Sequence, residues 1–159
     1  MNIKCYLAYS KNKSDLFNST SGGFFYEFAQ IVITKYKGIV YGAVVENGDV
    51  FHKRIDNAIS LHQLQKSKYV ASKTRNAFVN CLNDLKKGNY VLFSGTPCQI
   101  KSLHSYLDIN NVNKEKLISI DLVCHGVPQS KYWDIYKRLT KFSFSKKISY
   151  LPLLKLSRK

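Results

Sequence analysis

The chain is short of acids, and it lacks long apolar runs, paired cysteines and glycine-rich nucleotide fingerprints. Only 10 of its 159 residues are Asp or Glu, against 25 Lys and Arg, giving a formal charge of +15. No apolar run approaches the roughly 20 residues that a membrane-spanning helix needs. Met1-Asn2-Ile3-Lys4 leads into no signal-peptide core, so a cytoplasmic location is expected. Four cysteines are present, Cys5, Cys81, Cys98 and Cys124, and no two form a Cys-x-x-Cys pair. That spacing excludes a zinc ribbon, and an even count in a cytoplasmic chain does not imply disulfides. Neither a Walker loop nor a Gly-x-Gly-x-x-Gly fingerprint occurs, and no internal repeat is visible.

What is present describes one folded domain. Hydrophobic residues make up 45% and aromatics 13%, which excludes a disordered chain, and the length suffices for a sizeable core. The basic excess admits a nucleic-acid or other polyanion partner. It is nearly all lysine, however, scattered through a chain rich in Asn, Ile and Tyr, residues that share A/T-rich codons. No nucleic-acid recognition motif accompanies it, so nucleic acid is not the expected partner. An anionic small cofactor suits the same charge.

Ile3 to Tyr9 alternates apolar and polar residues as a strand does. Lys11 to Asn18 reads as a polar loop. Ser19-Thr20-Ser21-Gly22-Gly23 then opens a helix with Phe24, Phe28, Ile31 and Val32 on one face, closed by Lys37-Gly38. Ile39 to Val45 is a β-branched and aromatic run, Asn47-Gly48 is a hairpin turn, and Val50 to Ile55 returns antiparallel. A short helix carries Ile59, Leu61 and Leu64. A longer one spans Lys73 to Lys87, with Phe78, Leu82 and Leu85 inward and Gly88 as its stop. A strand at Tyr90–Phe93 precedes a helix from Pro97 to Leu107, and a buried strand at Leu117–Val123 precedes a helix bearing Trp133, Tyr136 and Leu139. This order predicts an α/β fold, a mixed and mostly parallel sheet with helices on both faces. Lys137 to Lys159 holds eight positive charges and no acid. Ser149 to Leu156 within it reads as strand or short helix without a convincing cap.

Cys98 is the best-placed reactive group. Thr96 suits an N-cap, Pro97 the first helical position, and Gln99 completes a Thr-x-x-Gln capping box. The thiol then lies where backbone N–H groups and the helix dipole favour negative charge. Cys124 follows the next strand, with His125-Gly126 after it. Side-by-side strands would bring both sulfurs to the sheet edge where open α/β sheets hold ligands. The alternative for each is a small side chain filling a packing gap or a turn. Cys81 and Cys5 read as packing residues, and two thiols do not complete a four-thiolate cluster. Ser21, Gly22 and Gly23 at a helix start make a small phosphate cradle, although many helices carry such residues merely as caps. Ser67-Lys68-Tyr69 offers a hydroxyl, a cation and an aromatic plate.

Taken in order, Ser-Thr-Ser-Gly-Gly-Phe-Phe, Ser67-Lys68-Tyr69-Val70-Ala71-Ser72, Phe93-Ser94-Gly95-Thr96-Pro97-Cys98-Gln99 and Asp121-Leu122-Val123-Cys124-His125-Gly126-Val127-Pro128 resemble the beta-subunit family of coenzyme F-420 hydrogenases and dehydrogenases. The resemblance covers about residues 3 to 140. It implies an electron-transfer oxidoreductase that passes electrons between an iron–sulfur cluster and a flavin, FAD or FMN, with a redox partner protein or small electron carrier. Many bacterial members lie near polysaccharide genes. It further implies that Ser21, Gly22, Gly23, Ser67, Lys68, Tyr69, Gly95, Thr96 and His125 border the flavin, and that Cys98 and Cys124 are cluster ligands. The chain departs from the family in having no N-terminal ferredoxin-like cysteines and in replacing a Phe-Arg-Asp-Lys type segment with a basic tail. The expected layout is therefore an incomplete oxidoreductase domain over residues 1–142 and a divergent tail over 143–159. A truncated, non-catalytic remnant and a basic polyanion-binding module remain the alternatives.

Overall fold

A computed structural model describes residues 4–74 and 76–139. The boundary at residue 142, the basic tail and the start of the expected first strand at Ile3 lie outside them. The elements are α1 (Lys13–Phe17), α2 (Phe24–Thr34), β1 (Ile39–Glu46), β2 (Asp49–Ile55), a 3-10 turn (Ser60–Leu64), α3 (Ala77–Lys86), β3 (Val91–Gly95), α4 (Pro97–Ile109), β4 (Leu117–Asp121) and α5 (Ser130–Leu139). They build the α/β architecture expected, a four-stranded sheet in the order β2-β1-β3-β4. β1, β3 and β4 run parallel, and β2 returns antiparallel from β1. Asn47 and Gly48 both adopt positive φ, 51° and 76°, the twist that a two-residue hairpin turn requires.

The sheet sorts its side chains by the two-residue period of a strand. On one face Ile39, Tyr41, Val91 and Phe93 pack against Ala77, Cys81, Leu82 and Leu85 of α3 and Ile100, Leu103 and Leu107 of α4. On the other, Val40, Val44, Ile55 and Leu92 meet Ala29, Val32 and Ile33 of α2 and Leu61 and Leu64 of the 3-10 turn. β3 is buried along its whole length, which explains its unbroken apolar run. Polar groups also sit inside this core: buried Asp84 accepts the Tyr41 hydroxyl at 2.6 Å and Arg54 Nε at 2.8 Å. Burial and the Asp84 carboxylate together push the Tyr41 phenol well above its ordinary pKa. Among the described residues no helix is long and apolar enough to cross a membrane.

Several local expectations are corrected. Residues 4–10 form no strand, and Tyr6 and Leu7 are 84% and 96% exposed. Alternation alone does not make a strand when no partner strand lies alongside; this segment is instead pinned where Ser10 N donates to Gly22 O. Cys5 is consequently exposed and is no packing residue. Lys11–Asn18 contains α1, because Asn12 Oδ1 accepts from Ser14 N at 2.9 Å and caps it. α2 is rotated from the expected face: Ala29, Val32 and Ile33 are buried, while Phe24 and Ile31 are exposed. α3 begins at Ala77 and not at Lys73, whose backbone is held by the edge of β2 through Lys73 N to Val50 O and His52 N to Lys73 O. β4 ends at Asp121 and is half-exposed, because it is an edge strand with a neighbour on one side only among the described strands. Cys81 is buried as expected, and burial pushes its thiol up to about 12.

Asp84 gives the first test. Asp84→Ala leaves a buried phenol and a guanidinium without their shared acceptor, and should cost about 3 kcal/mol in urea unfolding. A loss below about 1 kcal/mol would mean that the cluster is solvated rather than structural.

Candidate functional site

The parallel pairing of β3 with β4 builds the first half of the site. Gly95 is in register with Asp121, and Leu122 N carries the ladder one step further by donating to Gly95 O at 2.9 Å. Cys98 and Cys124 each follow three residues beyond that last pair, so both emerge at the C-terminal edge of the sheet, and both are exposed. Cys98 lies in the first turn of α4. Thr96 caps that helix, Pro97 opens it, and Gln99 Oε1 accepts from Thr96 N at 3.1 Å to close the capping box. Thr96 Oγ1 sits 3.1 Å from the Cys98 sulfur. The Cys124 sulfur accepts from Gly126 N at 3.4 Å, a turn that depends on the φ of +119° that glycine alone adopts readily. His125 is exposed in this loop.

The loop then crosses the same edge. β1 is parallel to β3, so the Asn47–Gly48 turn at its end lies on the cysteine side of the sheet. The chain reaches it through α5, where Trp133 Nε1 donates to Gly48 O at 3.1 Å and Lys137 approaches Asp49 at 3.6 Å. The Cys-His-Gly loop is thereby strung between β4 and the hairpin.

The second half joins two motifs far apart in sequence. Ser67 N donates to Thr20 Oγ1 at 2.8 Å, which brings Ser67-Lys68-Tyr69 against the Ser19–Gly23 turn. α2 feeds β1 through a tight turn, closed by Gly38 N to Val32 O, and packs back along the sheet. Its N-terminus therefore lies toward the cysteine edge. Gly23 is the N-cap at φ 76°, and no side chain caps this helix. Lys68 Nζ donates to Gln65 O at 2.6 Å and Gln63 O at 3.2 Å, with no carboxylate partner among the described residues. Burial alone lowers its pKa to about 8. Tyr69 and Ser21 are exposed beside it. The glycine pair has a packing role as well: a Cβ on Gly22 would lie 2.4 Å from Ala8 O.

These groups suit the two cofactors unequally. Hydroxyls, unoccupied helix N–H groups and a cation lacking an acid partner fit an anionic phosphate or ribityl chain. Glu27 in the first turn of α2 opposes this, and its carboxylate is engaged by the Ser10 hydroxyl. A four-thiolate cluster does not fit the described residues alone. No group of three or more His, Cys, Asp or Glu that could hold a metal occurs among them, and Cys81 is sealed in the core. Sequence reading missed His52, which is buried on β2 and stacks on Phe93 at 5.0 Å. An imidazole two residues from Val50, on the same face of the strand, was its only signal.

Comparison with known proteins bears on the cysteine half. Residues 88–151 match the family model for the C terminus of the coenzyme F420 hydrogenase/dehydrogenase beta subunit. The matched segment contains both Cys98 and Cys124 and excludes the Ser19–Gly23 and Ser67–Tyr69 motifs. A solved chain from the F420-reducing [NiFe] hydrogenase complex of Methanosarcina barkeri shares the fold, with a TM-score of 0.67 at 13% identity. The superposition covers 90% of this chain and 53% of that one, so this chain spans about half the length of its structural neighbour. No curated protein matches it. The chain is thus similar in sequence, over residues 88–151, to the C terminus of the F420 hydrogenase/dehydrogenase beta subunit, and in fold, over most of its length, to a chain of an F420-reducing hydrogenase complex.

Two measurements probe this geometry. Gly22→Ala should displace residues 8–10, seen as faster amide exchange at Ser10 with exchange in β3 unchanged. Lys68 loses its proton near pH 8 when folded and near about 10.4 when unfolded, so the unfolded chain binds more protons between those values. Wild-type stability should therefore rise, relative to Lys68→Met, as pH goes from about 8 to about 10; parallel pH profiles would show that Lys68 is solvated.

Proposed function

We propose that this chain is a redox domain of the F420 hydrogenase beta-subunit type, which holds a flavin along its C-terminal sheet edge and presents Cys98 and Cys124 to an iron–sulfur cluster. The observation that carries the reading is the β3–β4 register, after which two exposed cysteines follow the same sheet edge, each three residues beyond the last pair. The family match over residues 88–151 supports it on the same segment.

In this reading Ser21, Gly22 and Gly23 receive the flavin's phosphate or ribityl chain, with the α2 N–H groups as donors. Lys68 supplies the compensating charge, and an anion beside it favours the protonated form further and raises its pKa. Ser67 and Tyr69 border the ring system, and Gly95, Thr96 and His125 line its approach to the cysteines. A bound flavin would supply hydride and single-electron exchange. Cys98 and Cys124 act as two thiolate ligands, with the N-terminal dipole of α4 favouring the charged sulfur of Cys98. The remaining ligands then come from outside the described residues, from a redox partner or from further chain. Residues 1–142 would form the oxidoreductase domain and 143–159 a basic tail apart from it.

Anaerobic reconstitution with flavin, iron and sulfide tests this. The protein should retain flavin through gel filtration, and Lys68→Met should weaken flavin affinity about tenfold, the worth of one charge-assisted contact. Cys98→Ser and Cys124→Ser should each abolish cluster absorbance without lowering the melting temperature, since both side chains are exposed. Colourless protein that keeps neither group would refute the assignment.

A further inference from the structure

We propose that His52, Ser72 and Gln99 are positioning residues for Cys98, forming a hydrogen-bonded chain that runs from the far strand of the hairpin to the turn presenting this thiol. The inference rests on the reading of Cys98 as a cofactor-facing sulfur, but the chain itself is defined by hydrogen-bond chemistry. His52 lies on β2, and its Nε2 is 2.9 Å from Ser94 O on β3, across the width of β1. A carbonyl only accepts, so Nε2 carries the hydrogen and Nδ1 of the neutral ring is left as an acceptor. Ser72 Oγ, 3.1 Å from Nδ1, must then donate to it. That spends the one hydroxyl hydrogen, leaving Ser72 Oγ to accept from Gln99 Nε2 at 3.0 Å. The same amide nitrogen donates to Ser72 O at 3.0 Å. Gln99 Oε1 accepts from Thr96 N.

Every member thus has one role. Turning the Gln99 amide over would set its oxygen against the Ser72 carbonyl and its NH2 against the Thr96 N–H, so one orientation alone satisfies all partners. Burial holds the His52 pKa below the ordinary imidazole value, which keeps Nδ1 free to accept. The ring is clamped flat on Phe93, 14° from parallel. Ser72 is fixed by its neighbour Lys73, which pairs with β2 on both sides of Phe51 through Val50 O and His52 N.

A capping box ordinarily closes on its own helix. Here its glutamine makes a second connection, to a strap that also carries Ser67-Lys68-Tyr69 a few residues upstream. The chain therefore ties the flavin-side motif to the cysteine turn. Its last member, Thr96, touches the Cys98 sulfur through Oγ1 at 3.1 Å.

The test uses the full chain without added cofactor, so its outcome is independent of whether flavin or iron binds. Ser72→Ala, Ser72→Thr and His52→Gln are compared with wild type by amide exchange and by the rate at which iodoacetamide alkylates Cys98, read on its peptide by mass spectrometry. His52→Gln turns an amide donor toward Ser94 O and vacates the Nδ1 position that accepts from Ser72. Ser72→Ala and His52→Gln should each speed Thr96 amide exchange about fivefold and shift Cys98 alkylation by a similar factor, the equivalent of one hydrogen bond. Ser72→Thr should restore both. Leu92 and Phe93 exchange should not change. Wild-type values at Thr96 and Cys98 in the two disrupted variants would overturn the proposal. So would a loss of protection spread equally over β3, or a failure of threonine to rescue.

Discussion

The constraint on which the rest depends is the burial of β3. Val91, Leu92 and Phe93 are fully enclosed between two helical layers and two parallel neighbours, so this strand has no freedom of register or of face. Its position dictates where β1 and β4 end. It also dictates where the first turn of α4 begins, because only Thr96 separates the last residue of β3 from Pro97. The placement of Cys98 is therefore a consequence of core packing, transmitted through a single capping residue.

Polar groups inside such a core are costly unless satisfied, and here each is satisfied by a specific partner. Asp84 binds Tyr41 and Arg54 on the α3 face. His52 binds Ser94 and Ser72 nearer the cysteine edge. No buried side-chain nitrogen or oxygen among the described residues lacks a partner. Apolar contacts tolerate small slips, whereas these bonds do not, and they fix the hairpin against β3 and α3. The cysteine edge is supported from below by this directional set.

The exposed edge has the opposite character. The loop from Leu122 to Gln129 is exposed along nearly its whole length, and Cys98 and Cys124 are both open to solvent. Lys68 is half-buried and lacks an acid partner among the described residues. A fully bonded interior beneath an edge with solvent-exposed thiols and a cation without an acid partner among the described residues is the arrangement expected of a ligand-binding rim in an open α/β sheet.

The amino-acid order alone determined the elements whose signals are local. The α4 capping box, the Asn47-Gly48 hairpin and the continuous apolar run of β3 are each written in a few adjacent residues, and the cap at Thr96 was legible down to the helical position of Cys98. Where the local signal needed a distant partner it misled: residues 4–9 alternate like a strand but pair with no strand among the described residues, and Lys73 belongs to the margin of β2 instead of to α3. Tertiary structure alone decided that Thr20 meets Ser67, and that His52 reaches Ser94 and Ser72. Those contacts join segments 20 to 47 residues apart. They depend on strand order and register, which emerge when both sheet faces are buried at once, and no periodicity in a single segment encodes them.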